Sequence, residues 1–312
     1  MRGEPVALSC APMTDAELAR GIAEFARSAS VEVTAGDAGL VPALATQLPP
    51  DSVVYVAHTP KATLEDVVRT AVVVQAAGFL ACPHIVARRI ADREALQSSC
   101  ERLAAAGVDR ALVIAGDNGQ PAGDFASALD VLSTDLLAAH GMKRIGVAGH
   151  PEGHRVIGQT VRWRALLEKQ TLAERRGIEM HVVTQFGFDP AAVAGWDACL
   201  AEHGIRLPVH VGMAGPASLA QLIGYAMQCG VGVSLRGALH SMNAMRNVAG
   251  LATSPDQMLT RIVRHAGSGA TNIAGAHFYS FGGAVATARW LGAVADGRFN
   301  LNADADAFAT TG

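Results

Sequence analysis

Lysine is nearly absent from this chain: Lys61, Lys143 and Lys169 are the only three among 25 basic residues in 312. A mechanism that needs a site amine therefore has three candidates. Cysteine is sparse as well. Cys10, Cys82, Cys100, Cys199 and Cys229 are odd in number, widely spaced and never in a C-x-x-C pair, which speaks against a disulfide framework or thiolate metal site and for a reduced, cytoplasmic protein. No sign of charge dominates, since 25 basic and 28 acidic residues leave −3, too near neutral for a nucleic-acid footprint. Long hydrophobic runs are missing too. The most apolar stretch, 71–87, is broken by Gln75, Gly78, Pro83 and His84, short for a membrane span. The opening MRGEPVALSCAPM carries Glu4 and no long apolar core, unlike a signal peptide. Half of the residues are hydrophobic and 15 are aromatic, so the expectation is a well-buried soluble protein with neither nucleic acid nor membrane as partner.

What is present is an alternation. Short Val/Ile-rich runs read as buried strands: 30–34, 53–57, 79–85, 111–116, 145–149, 180–186, 208–213 and 276–281, with a weaker GVGVSL at 230–235 taken as an irregular connection. Helical periodicity falls between and before them, at Ala16–Arg27, Leu64–Ala76, Ala87–Ala105, Phe125–His140, Gln159–Arg176, Ala191–His203, Leu219–Cys229 and Pro255–His265. Thr14 and Ser254 stand where helix caps belong. Gly107, Gly141, Gly177, Gly204 and Gly230 stand where helices stop. Alternating strands and helices imply a parallel sheet. Eight strands without a linker or charge block predict one (β/α)8 TIM barrel over residues 1–312, and the missing G-x-G-x-x-G after the first strand removes the main support for a dinucleotide-binding open sheet.

Barrels of this kind build their sites at the C-terminal strand ends. Those ends here offer Glu32, His58, His84, Asp117, His150 and Gln185, with Tyr279 on the last strand. Any one alone reads as a solvated strand end; together they form a polar cluster at an apolar mouth. A Schiff-base aldolase is disfavoured because no lysine sits at a strand end. A metal-dependent hydrolase could draw on His58, His84, His150 and Asp117, yet Pro151 and Gly153 spoil the helical spacing of HPEGH (150–154), and no H-x-H marks strand one. Separated carboxylates without a nucleophile suit proton transfer and the binding of a planar heterocycle. The basic segment with Arg155, Arg162, Arg164, Lys169, Arg175 and Arg176 is either a solvated face or a contact for cofactor phosphates.

VEV with Glu32, CPHIVA with His84, VIAGD with Asp117, VAGHPEGH (147–154), TQFGFD (184–189), VGMAGPASLAQ (211–221) and HFYSF (277–281) run in order along nearly the whole chain. In this the sequence resembles the methylenetetrahydrofolate reductases, flavoprotein (β/α)8 barrels that show PE-x-H and TQ-[FY]-x-[FY]-D in the same places. The resemblance implies an oxidoreductase of one-carbon metabolism with FAD as cofactor, NADH or NADPH as co-substrate, and tetrahydrofolate derivatives as substrates. A homo-oligomer would rest on the resemblance alone. It implies Glu32 as general acid, Asp117 as an acid on the pterin beside the flavin, and Gln185, Gln221, Phe188 and Tyr279 as substrate contacts, with Phe186 an alternative to Phe188 in the stacking wall. Flavin contacts would come from His58, His84, Gly116, His150 and His154, and diphosphate contacts from Arg162, Arg164 and Lys169. The chain departs from the family at Ala57-His58 (usually Thr-Tyr), at VEVTAG (usually like FEFFPP), at Gly283 (often Arg) and at Leu172-Ala173 (usually a basic pair). Three alternatives stay beside this reading: the same chemistry without flavin, or run mainly in reverse on methyl-tetrahydrofolate produced by a demethylase; a metal-dependent barrel hydrolase; and a folate-binding protein without activity.

Overall fold

The computed structural model describes residues 13–117, 119–218 and 252–311. Eight strands close into one parallel barrel: β1 Ser30–Thr34, β2 Val53–Ala57, β3 Leu80–Val86, β4 Arg110–Ile114, β5 Arg144–Gly149, β6 Glu179–Thr184, β7 Val209–Ala214 and β8 Ile273–Tyr279, with β8 pairing β1 to complete the ring. This is the expected TIM barrel. Around it run α1 Asp15–Ser28, α2 Leu64–Ala76, α3 Arg93–Ala105, α4 Ala128–Ser133, α5 Gln159–Arg176, α6 Pro190–Glu202, α7 Asp256–Ala266 and α8 Ala284–Ala295. Among the described residues no helix is long and apolar enough to cross a membrane.

A strand turns alternate side chains to opposite faces, and the alternation divides the barrel into two interiors. Val31, Val33, Val54, Val56, Ala111, Val113, Val182 and Phe278 join the apolar layer beneath the helices. Tyr55, Cys82, Leu112 and Val183 form a separate cluster inside the barrel. That lumen also holds Glu32, His84, His181, His210 and His277, and the Tyr55 hydroxyl on β2 reaches across to His181 Nε2 on β6 at 3.0 Å. Branched aliphatic side chains usually fill such a lumen; here imidazoles take much of the space.

The elements follow their sequence signals with five corrections. Thr14 caps α1 through a reciprocal box with Glu17, and Gly107, Gly141, Gly177 and Gly204 all have positive φ where helical segments stop. Ser254 is not a cap: the N-cap of α7 is Pro255, without a side-chain bond. The stretch expected as one helix over 87–105 is a 3-10 turn, Ala87–Arg89, followed by α3, because Asp92 Oδ1 accepts the Ala95 amide and restarts the chain there. The stretch 125–140 breaks into α4 and a short turn at Leu136–Ala139, because Asp135 between them is left-handed (φ 63°). Strand six ends at Thr184, two residues short of the expectation, and strand eight spans 273–279 rather than 276–281. In both, the aromatic residues beyond the end turn onto the mouth. The segments expected at Leu219–Cys229 and 230–235 lie outside the described residues.

One buried carboxylate ties the back of the barrel together. Asp197 on α6 accepts His265 Nε2 at 2.9 Å and Thr271 Oγ1 at 2.7 Å on one oxygen, and the Asn272 amide at 3.0 Å on the other. Burial alone would raise its pKa, but these bonds prevail and hold it low. Truncation to Asp197→Ala leaves three partly buried donors without their acceptor and is expected to cost about 2–4 kcal/mol, read as a lower denaturation midpoint in urea. A loss under 1 kcal/mol would mean that water replaces the carboxylate.

Candidate active site

The floor of the mouth is a carboxyl between two imidazoles. Glu32 projects from the middle of β1, only 14% exposed, with its Oε2 3.5 Å from His84 Nε2 and 3.9 Å from His277 Nε2. Burial in this apolar ring is the larger influence on Glu32 and pushes its pKa up to about 6, against a smaller lowering by His84. Desolvation holds His84 at about 4 and His277 at about 3. Both rings are therefore neutral wherever the protein is folded near neutral pH. The Glu32 proton can be held and released in the physiological range, as general acid chemistry requires.

Around this floor the loops supply the walls. Past β2, His58 is buried, its Nε2 donates to the Ala62 carbonyl at 3.0 Å, and burial lowers its pKa. Arg89, which sequence reasoning did not single out, donates to the carbonyls of His58 and Thr59 and stands 3.6 Å from Asp117. It thus joins three loops. Asp117 itself is 74% exposed at the rim, placed by Gly116, whose φ of +89° and close approach to Val86 leave no room for a side chain.

His150 and His154 pack edge to face at 4.9 Å. Arg162 donates to the His150 carbonyl at 2.8 Å, while its Nε is buried without a partner. Burial first, then His154, Arg162 and Lys169, push His150 down to about 3, which places Lys169 within electrostatic reach; burial lowers the pKa of Lys169 itself. Arg164 is turned elsewhere. It is largely exposed and pairs with Glu168 one turn along α5 at 3.7 Å. An unpartnered buried guanidinium N–H suits an anion, and Arg162 has one where Arg164 does not.

The strand-six side is an aromatic wall. Phe186 meets Phe188, Tyr279 and Phe281 at centroid distances of 5.9, 5.5 and 4.9 Å, and the Tyr279 hydroxyl donates to the Thr184 carbonyl at 3.0 Å. Gln185 folds back so that its Oε1 accepts the Phe186 amide. Glu152 fixes the turn from below: Oε1 accepts the amides of Phe188 at 2.9 Å and Asp189 at 3.1 Å. The PE of HPEGH and the GFD of TQFGFD are thus one hydrogen-bonded unit. Sequence reasoning found both motifs but not this bond. It also missed Tyr55, His181, His210 and His277, although each lies between apolar neighbours at the alternate positions that face a lumen. Gln221 lies outside the described residues.

Among the described residues no three His, Cys, Asp or Glu side chains are arranged to hold a metal ion, and Cys82, Cys100 and Cys199 are free thiols. No family model matches the chain. Among solved structures it is similar to a 3-dehydroquinate dehydratase from Aquifex aeolicus, with 12% identity over 63% of this chain and 84% of that one, at a TM-score of 0.38. A likeness that distant carries no argument about the reaction.

Proposed function

We propose that the protein is a methylenetetrahydrofolate reductase. The observation that carries the reading is Glu32, a buried carboxyl with a raised pKa beneath an aromatic wall and between neutral imidazoles. Protonation of the folate N10 by Glu32 would open the five-membered ring to the N5 iminium, and a hydride delivered to the methylene carbon would give methyl-tetrahydrofolate. Phe186 and Phe188 offer faces for a planar ring, and Gln185 and Asp117 at the rim offer hydrogen bonds to the pterin.

The reading implies FAD and a nicotinamide dinucleotide, each with a diphosphate. Arg162, with its orphaned Nε in the first turn of α5, fits one such group, where helix N–H groups also favour anions, and Lys169, three turns along the helix, adds positive charge within electrostatic reach of His150. His150, His154 and Gly116 would line its path. Bound there, FAD would supply the relay of hydride between the nicotinamide and the folate carbon.

Arg162→Ala is expected to weaken dinucleotide binding about 10- to 100-fold, the worth of a charge-assisted hydrogen bond, and Arg164→Ala to leave it within about twofold, since Arg164 points to Glu168. Titration calorimetry with FAD, NADH and NADPH separates the two; equal losses would place the phosphates elsewhere.

The decisive experiment is turnover of methylenetetrahydrofolate with NADH or NADPH, with and without added flavin, on protein inspected for flavin absorbance. Turnover by yellow protein supports the full reading, and turnover by colourless, flavin-free protein supports direct hydride transfer from the nicotinamide. Absence of turnover in every combination sinks the proposal.

A further inference from the structure

His277 is an odd residue to find in the lumen of a barrel. It is wholly buried, with its ring against Tyr55 on one side at 4.5 Å and Tyr279 on the other at 4.7 Å. Its Nδ1 lies 2.8 Å from the buried Ser30 Oγ. Its Nε2 has no hydrogen-bond partner and faces Glu32 Oε2 at 3.9 Å. A buried unsatisfied nitrogen costs of the order of 1–3 kcal/mol, so its position calls for an account.

The tautomer follows from counting donors. Ser30 Oγ has the imidazole as its hydrogen-bond partner. If Ser30 accepted from Nδ1–H, its own buried O–H would be left unpaired; if it donates to Nδ1, the O–H is satisfied and the ring proton sits on Nε2. Nε2–H then aims at Glu32. The groups that face Glu32 from its neighbours are Tyr55 on β2, His84 on β3 and His277 on β8, with His58 behind His84. Of the two rings within 4 Å of the carboxyl, both with Nε2 unpartnered, His277 has its other nitrogen held by a side-chain hydrogen bond, to Ser30.

We propose that His277, its tautomer fixed by Ser30, is the positioning residue for Glu32: its neutral Nε2–H orients the carboxyl and closes to a hydrogen bond on the carboxylate left once the proton has gone to substrate. The inference rests on Glu32 as the acid. It explains how a buried carboxylate can form without a cation beside it, since a neutral donor stabilises the anion with no buried positive charge to desolvate. Ser30, His277 and Glu32 share the composition of a nucleophilic triad, but Ser30 is buried on the far side of the imidazole and meets no substrate.

The test reads Glu32 directly. The carboxylic-acid carbonyl band of Glu32, isolated as the infrared difference between the wild type and Glu32→Gln, is followed against pH in the whole protein. Ser30→Ala, which keeps the ring but frees its tautomer, is expected to raise the Glu32 midpoint by about one pH unit, a tenfold change in its ionisation constant. His277→Phe, which removes the donor, should raise it further, and Ser30→Thr, which keeps a hydroxyl, should restore the wild-type value. The limb of the kcat/KM profile should move with the band. A midpoint that stays put or falls in Ser30→Ala and His277→Phe overturns the inference. Because the band reports ionisation without turnover, a shift as expected in a protein that turns over no methylenetetrahydrofolate would leave the tuning in place and remove the reductase reading.

Discussion

Glu32→Gln is expected to reduce folate turnover by about 10²- to 10⁴-fold, the usual worth of a general acid. Glutamine keeps the size and the hydrogen-bonding reach of the side chain but has no proton to give. In the wild type the acid form dominates below pH about 6, so turnover that depends on it should fall tenfold per pH unit above that point. A profile measured between pH 5 and 9 should show this limb in the wild type and lose it in the variant. A variant that keeps more than about a tenth of wild-type turnover would place the acid elsewhere.

The same substitution should stabilise the fold at high pH. The folded pKa of Glu32 lies above its ordinary value of 4.5, so the native state binds more protons than the unfolded chain between the two. Stability from this group is present below pH 4.5 and is lost as pH rises through about 6, a loss of about 2 kcal/mol. Glutamine does not titrate and avoids it. Lower activity together with higher stability above pH 6 is the signature of a group kept for function.

Acidification should unfold the protein cooperatively between about pH 5 and 4. The lumen imidazoles are held far below the ordinary 6.5 by desolvation first: His84 and His210 at about 4, His181 and His277 at about 3. For a depressed histidine the unfolded state binds the proton, so stability is lost as pH falls below 6.5. By pH 4.5 each such ring costs on the order of 2–3 kcal/mol, and four together approach the whole stability of an ordinary domain. The opposing gain from Glu32 is smaller, about 2 kcal/mol. Circular dichroism against pH checks this, and His210→Gln, at a ring whose Nδ1 is unpaired, should move the midpoint to lower pH. A wild-type barrel still folded at pH 3 would show that water reaches and charges the rings within the native state.

The barrel was legible because its strands are too apolar to be anything but buried and too regularly spaced to be anything but parallel. β1 and β2 and helices α2 and α5 fall where the sequence puts them. Boundaries moved where a local bond outweighed periodicity, as at Asp92 and Asp135. Glu32, His84 and Tyr279 were readable as site candidates because they stand together with other polar groups on successive apolar strands, Arg162 because it lies in the most basic segment, and Phe188 through the resemblance alone. Arg164 was read with its neighbours and proved to face Glu168, a matter of helix phase that composition does not convey.

By itself the sequence determined the closed parallel barrel, the supply of ionisable groups at its mouth and the shortage of lysine and paired cysteine that narrows its chemistry. Only the tertiary structure decided which of those groups share one dielectric. Glu32, His84, His181, His210 and His277 come from five strands separated by tens of residues, and each alone would titrate in the ordinary way. The barrel's closure removes water from all of them at once, so the carboxyl pKa rises, the imidazole pKa values fall, and a row of commonplace side chains becomes a site able to hold one proton.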